Sequence, residues 1–283
     1  VNTRIAWIHQ PGKGATYRYR AVMPAAEVGK INGFKTSVNA GEADILVFSK
    51  PIPYDIEMAK QAKAAGCKIV VDLADDHFDN PTVSRVYHDV TRFADKVVTP
   101  TPVMADRVKQ RLGLSAEVIA EPYEFDELQP HANGEKYLWF GHKGNLKDII
   151  PWKSVLDRLD FTVVSVPNQY FENTLQWSIE TMEEQLALCN IVVLPTRKHA
   201  HYKSANRLIN AIRMGCFVVA DQHPAYKEFR RFAWTANFPT GMRWHKVYRD
   251  ELNDMVSAGQ DYIRDRYSPA AIGKQWADLL GAL

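Results

Sequence analysis

What the sequence lacks narrows its class before any motif is read. No stretch of the 283 residues approaches the roughly 20 consecutive apolar residues of a membrane-spanning helix, so no integral membrane contact is expected. The amino-terminal residues lack the design of a secretory leader. Cysteine is scarce: Cys67, Cys189 and Cys216 show neither a Cys-x-x-Cys pair nor metal-ligand spacing. Each lies in an apolar context beside an expected strand or helix, as buried free thiols do. That pattern favours a reducing compartment, and the expected location is cytoplasmic. Asn173-Thr174-Leu175 is not a glycosylation acceptor. An excess of one charge is missing too, since 35 Lys and Arg stand against 33 Asp and Glu for a net +2. That is too little to argue for a nucleic acid or membrane partner, so any anion site must rest on a local cluster of Lys and Arg.

What is present is alternation. Short apolar runs, expected as strands, include Ile5 to Ile8, Asp44 to Phe48, Lys68 to Asp72, Lys96 to Thr99 and Val118 to Ala120. Between them lie amphipathic stretches expected as helices: Tyr19 to Val28, Ile56 to Ala65, Val83 to Phe93 and Pro102 to Leu112. Glu121 to Glu135 is polar, carries Pro122, Pro130 and Gly134, and reads as a linker. A second alternation follows, with strands at Tyr137 to Gly141, Phe161 to Ser165, Asn190 to Leu194 and Cys216 to Ala220. Its helices are expected at Ile149 to Leu159, Thr181 to Leu188 and Ser204 to Met214, and the last third is helical over Arg249 to Asp265 and Ala270 to Leu280. The expected class is α/β: two tandem Rossmann-like domains with parallel sheets facing a central cleft. The expected boundaries are 1–125 for the first domain, 126–135 for the linker, 136–252 for the second domain, and 253–283 for terminal helices. Ligands of open parallel sheets bind beyond the carboxyl ends of the strands, so function is sought in the loops there.

The segment Glu184 to Glu228 contains the strand Ile191-Val192-Val193-Leu194-Pro195, a basic loop with Arg197, Lys198, His199 and His201, and a helix opened by Ser204. Ser204 is a good N-cap. Lys203 before that helix, and Asn206 and Arg207 in its first turn, make its amino end a candidate diphosphate site. A solvated basic loop before an ordinary capped helix would read the same way.

These segments resemble the GT-B glycosyltransferases, in particular the large retaining nucleotide-sugar-dependent family. The resemblance rests on Leu194-Pro195-Thr196, on Asn210-Ala211-Ile212-Arg213-Met214-Gly215, and on Phe217-Val218-Val219-Ala220. The family's paired glutamates would fall at Tyr202 and Asn210, neither of which is Glu. The resemblance implies that Asn210 contacts a ribose hydroxyl and that Lys147, in Phe140-Gly141-His142-Lys143-Gly144-Asn145-Leu146-Lys147, contacts phosphate. It places His142 where the family has arginine. Gly12 and Gly14 fall in a loop the family uses near donor and acceptor, and Arg18 and Arg20 before Pro24 echo its Tyr-Arg…Pro signature, implying acceptor contacts.

Asp75, Asp76 and His77 follow the strand Lys68 to Asp72 in an acid-rich strand end similar to that of many such enzymes. A base there could take an acceptor hydroxyl's proton. The same carboxylates would suit Mg2+, or serve as caps and local ion pairs. The expected activity is metal-independent transfer of a sugar from a nucleoside diphosphate sugar to an acceptor hydroxyl, with no cofactor beyond that co-substrate. A carbohydrate acceptor is expected ahead of a hydroxymethylated base in DNA. An inactive nucleotide-sugar-binding protein and an epimerase-like enzyme are the other readings.

Overall fold

Runs such as Ile45-Leu46-Val47-Phe48 and Ile191-Val192-Val193-Leu194 are apolar at successive positions instead of alternating, because both faces of their strands are covered. The computed structural model describes residues 2–10, 12, 14–196 and 201–283. It contains two six-stranded sheets in which every pairing is parallel.

The first sheet comprises β1 (Thr3–Ile8), β2 (Phe34–Val38), β3 (Ile45–Ser49), β4 (Lys68–Asp72), β5 (Lys96–Thr99) and β6 (Glu117–Val118), in the order β2-β1-β3-β4-β5-β6. The second comprises β7 (Lys136–Phe140), β8 (Asp160–Ser165), β9 (Thr174–Gln176), β10 (Ile191–Leu194), β11 (Phe217–Asp221) and β12 (Trp234–Ala236), in the order β12-β11-β10-β7-β8-β9. Each order reverses once, between β1 and β3 in the first sheet and between β7 and β10 in the second. Successive connections depart in opposite directions at such a reversal, which leaves room for a ligand beyond the carboxyl ends.

The chain divides into two compact units: Val1–Pro122 with Tyr202–Ser204 and Arg266–Leu283, and Tyr123–His201 with Ala205–Asp265. In the first unit alternate strand residues feed two cores. Val47 and Val70 join Ile5, Trp7, Val28, Ile272 and Trp276 on one face, while Phe48 and Val71 join Tyr87, Val90, Met104 and Val108 on the other. The terminal helix Pro269–Gly281 thus belongs to the amino-terminal core, where Trp276 meets Trp7 edge-on with ring centroids 6.0 Å apart.

Among the described residues three α-helices begin with a side-chain cap followed directly by proline. Asn80 Oδ1 accepts from the amides of Thr82 and Val83, Thr101 Oγ1 from Met104, and Ser268 Oγ from Ala271. Proline at the next position lacks an amide that the first turn could not bond anyway. Proline inside a helix acts differently. The expected helix over Ile149 to Leu159 is broken into Leu146–Ile149, a tighter turn at Ile150–Trp152, and Lys153–Leu156, since Pro151 cannot donate to the turn before it. Ahead of Pro24 the chain widens into a π-helical turn over Arg18–Val22, with the Met23 amide reaching Arg18 O. Among the described residues no helix is long and apolar enough to cross a membrane.

Candidate functional site

In the second unit the chain after β7 turns at Gly141, where a Cβ would lie 3.2 Å from the Trp139 ring and 3.4 Å from Arg207 Nη1. A short turn follows, capped by His142, whose Nδ1 accepts from the Gly144 amide at 3.1 Å. His142 is exposed, and so is Lys147, which forms no ion pair among the described residues. Across the reversal, the helix Asn206–Arg213 opens without a side-chain cap, leaving its first-turn amides unclaimed by any capping side chain. Half-buried Arg207 lies over Trp139, 5.9 Å from the ring centroid, with Nη1 3.5 Å from the Phe140 carbonyl oxygen. A fixed cation, helix amides and a glycine turn therefore meet at the carboxyl end of β7. That set matches the chemistry of a phosphate.

Other expected donor groups lie elsewhere. Ser204 is not the N-cap; Ala205 holds that position, and the Ser204 hydroxyl donates to the buried Glu121 carboxylate in the first unit. Exposed Lys203 and half-buried Tyr202 group with the first unit as well, and the Tyr202 ring lies 5.2 Å from the Arg107 guanidinium. Asn210 is not poised for a ribose. It is buried, its Oδ1 accepts from the Glu124 amide at 2.8 Å, and its Nδ2 donates to Asn206 O at 2.9 Å. An amide committed on both sides ties the helix to the segment leading out of the first unit. Arg197, Lys198 and His199 lie outside the described residues, whereas His201 is exposed.

In the first unit Arg20, expected to touch an acceptor, is wholly buried and serves the interior. Its Nε and Nη2 clasp Asp72 at 2.9 and 2.7 Å, and Nη1 donates to Ile119 O at 2.5 Å. Arg18 is half-buried, with its guanidinium 5.4 Å over the Tyr19 ring. Gly12 and Gly14 are exposed, and a Cβ on Gly14 would meet nothing within 4 Å, so packing does not require that glycine. Asp76 is clasped by Arg107 Nε at 3.2 Å and accepts from the Phe78 amide, which makes it a framework group. Asp75 is more open, with Lys50 Nζ at 3.1 Å and His77 Nε2 at 3.9 Å. Burial first, and the nearby Asp75, Asp72 and Asp76 next, push the Tyr87 hydroxyl well above the usual phenol range; that hydroxyl donates to Asp75 O. Among the described residues no three His, Cys, Asp or Glu side chains converge as metal ligands would.

Two groups at the β1/β3 reversal are not among those the sequence motifs single out. Lys50 follows β3 in the left-handed region with φ 54°, a conformation uncommon for a residue with a side chain. His9 follows β1 directly, with Nδ1 2.6 Å from the Gln10 carbonyl oxygen. The strand-end rule that points to Asp75, Asp76 and His77 applies equally to the end of β1 and would have found His9 there.

Two parallel Rossmann-like sheets, each with its loops at a single reversal, define the GT-B fold of the nucleotide-sugar glycosyltransferases. Solved structures with that fold align over nearly the whole chain. A glycosyltransferase from Rickettsia africae ESF-5 superposes with a TM-score of 0.62 at 11% identity, over 99% of this chain and 98% of its own. An alpha-glucosyltransferase in complex with UDP and a 13-mer DNA containing an HMU base gives 0.68 at 10% identity, over 99% of both chains. A putative UDP-N-acetylglucosamine 2-epimerase from Listeria monocytogenes gives 0.62 at 9%, over 100% of this chain and 96% of its own. Neither a protein-family model nor a curated protein matches the sequence. At these identities the likeness is one of fold.

Proposed function

We propose that the chain is a glycosyltransferase that moves a sugar from a nucleoside diphosphate sugar to an acceptor hydroxyl. The reading rests on Arg207, held over the end of β7 beside Gly141 and the uncapped helix Asn206–Arg213. As the anomeric bond breaks, negative charge grows on the departing diphosphate. A guanidinium and helix amides fixed in advance stabilise that charge without reorganising. Lys147, exposed on the short helix Leu146–Ile149 that follows β7, adds a second cation. On this reading no divalent ion is needed, and the three thiols suit the cytoplasm. The first unit would supply the acceptor groups, with Asp75 the freest of the strand-end carboxylates.

Isothermal calorimetry with UDP, UDP-glucose and other nucleotide sugars tests the donor assignment. Arg207→Ala and the bulk-preserving Arg207→Gln should each weaken binding about 10- to 150-fold, the equivalent of a lost charged hydrogen bond of roughly 1.5–3 kcal/mol. Unchanged affinity in a folded variant defeats the assignment. Turnover that persists in excess EDTA is expected, and abolished turnover would overturn metal independence.

The DNA-acting neighbour supports a second reading, in which the acceptor is a hydroxymethylated base. The first unit's arginines argue against it. Arg85 and Arg92 flank Asp89, while Arg107 and Arg111 share Asp79, so each cation is answered locally. DNA affinity that falls steeply with salt would favour the second reading; a carbohydrate acceptor predicts no such binding.

A further inference from the structure

The three cysteines are not alike. Cys67 lies in the first unit, with Sγ 3.3 Å from the Ala43 carbonyl oxygen. Cys189 and Cys216 lie together in the second unit, and their sulfurs are 3.1 Å apart. A disulfide bond is about 2 Å long, so about 1 Å of closure separates this contact from a covalent bond. The backbone sets the approach. Cys189 ends the helix Ile179–Leu188, its amide donating to Gln185 O, and Ile191 of β10 pairs with Phe217 of β11 in parallel register. Cys216, directly before Phe217, donates its amide to Ala211 O in the helix Asn206–Arg213. Two helix ends and a strand pairing therefore hold both residues in place.

The two thiols differ in access. Cys189 is half-buried, whereas Cys216 is fully enclosed. Burial first, and the neighbouring Cys189 next, push the Cys216 thiol well above the usual range, so it keeps its proton at neutral pH. The thiolate is the form that attacks an oxidant, which makes Cys189 the sulfur that reacts first. The Leu186 carbonyl oxygen, 3.2 Å from Cys216 Sγ, can only accept; it takes the Cys216 S–H and leaves a sulfur lone pair for Cys189. An accessible thiol backed by an enclosed one suits a sulfenic acid that is resolved before it is oxidised further.

We propose that Cys189 and Cys216 form a reversible redox pair, oxidised by hydrogen peroxide to a disulfide that staples the second unit. Cys189 Sγ attacks one peroxide oxygen and the O–O bond breaks; the departing hydroxide takes the Cys189 proton and becomes water. Cys216 Sγ then attacks the sulfur of the Cys189 sulfenic acid, the S–O bond breaks, and that hydroxide leaves as water with the Cys216 proton. Each sulfur gives up one electron, the peroxide oxygens take both, and a dithiol reductant reverses the change. The disulfide closes a loop over residues 189–216, which carries β10 and the helix Asn206–Arg213, and so restricts the unfolded chain. The sulfurs precede β10 and β11 at their amino ends, whereas Arg207 lies in the first turn of its helix, so the pair does not depend on the glycosyltransferase reading.

In the test, reduced wild-type protein is exposed to hydrogen peroxide at neutral pH, unfolded in guanidinium with excess maleimide, and weighed by mass spectrometry. Three labels mark the reduced chain. The oxidised chain should carry one, on Cys67, with a dithiothreitol-cleavable link between the peptides bearing Cys189 and Cys216. The linked protein should melt about 5 °C or more above the reduced one, and dithiothreitol should remove that gain. Cys216→Ser should leave a Cys189 sulfenic acid that dimedone captures, and Cys189→Ser should keep the label on Cys216. Loss of that label, or a Cys189 that dimedone does not capture, overturns the order of attack. Three labels after peroxide, a sulfinic Cys189 without the link, or a link to Cys67 or between chains overturns the pair. The correct link with no gain in melting temperature overturns the staple. Should either variant fail to fold, the labels, peptide link and melting of the wild type decide.

Discussion

Arg20 and Asp72 form a buried ion pair whose two members are 52 residues apart in the chain. Such a pair gains little net stability over a well-packed apolar one, but losing one partner strands the other charge away from water. Arg20→Ala should therefore destabilise the first unit by about 3–5 kcal/mol, measurable as a lower urea midpoint. Replacing both residues with apolar ones of similar volume should recover much of that loss.

Glu121, in the same buried network, responds to pH. Burial raises its carboxyl above the usual 4.5, with Asp75 and Asp72 adding to the rise against the pull of Arg20 and the Ser204 hydroxyl. Between the ordinary and the raised value the folded chain keeps a proton that the unfolded chain has released. Stability is then greatest below the ordinary value and declines as pH rises through that window. Glu121→Gln cannot titrate and should flatten the decline, as seen by comparing urea midpoints across the window. An unchanged slope would assign it to another group.

At the scale of elements, glycines mark where the chain has no alternative. Gly215, between the helix Asn206–Arg213 and β11, has φ +78°, and a Cβ there would come within 2.6 Å of the Gln129 and Pro130 carbonyl oxygens. Gly215→Ala should cost about 1–3 kcal/mol in strain and lower the melting temperature of the second unit. A variant as stable as the wild type would show that the linker can move aside.

The elements also explain what the sequence can reveal. Central strands announce themselves, because two covered faces demand unbroken apolar runs such as Ile69-Val70-Val71 and Ile191-Val192-Val193-Leu194. Edge strands do not. Phe34–Val38, Thr174–Gln176 and Trp234–Ala236 give no such signal, and all three lie at sheet edges, where one side lacks a neighbouring strand and short or polar runs suffice. The candidate site divides the same way. Lys147 and Arg207 lie in the elements that follow β7 and β10, the two strands at the reversal of the second sheet. Ser204, Asn210 and Arg20 carry suitable chemistry, but tertiary bonds to Glu121, Glu124 and Asp72 claim their polar atoms, and no local pattern reports such distant partners.

At the scale of the molecule, the first unit is discontinuous in sequence. Ile272, Trp276, Ala277 and Leu280 of the helix Pro269–Gly281 complete the core built on Ile5, Trp7 and Val28, and a Cβ on Gly273 would come within 2.3 Å of Glu27 Cβ. Truncation after Tyr267 should leave the first unit unfolded or aggregated while the sheet of the second unit persists. Hydrogen exchange resolved by peptide would show it, as lost protection in β1 and β3 with protection kept in β7 and β10. Equal protection of all four strands would mean that the terminal helix is dispensable.

The discontinuity also orders the birth of the protein. A ribosome releases β1 early, but the side of that strand bearing Trp7 has to wait for Trp276, near the far end of the chain, before its aromatic partner emerges. The second unit can finish while the first is still open, inverting the usual amino-to-carboxyl sequence of domain folding. Until the helix Pro269–Gly281 has emerged the nascent chain exposes an unfinished apolar face, and chaperone capture or slow translation of the codons for that helix should affect its yield more than changes upstream.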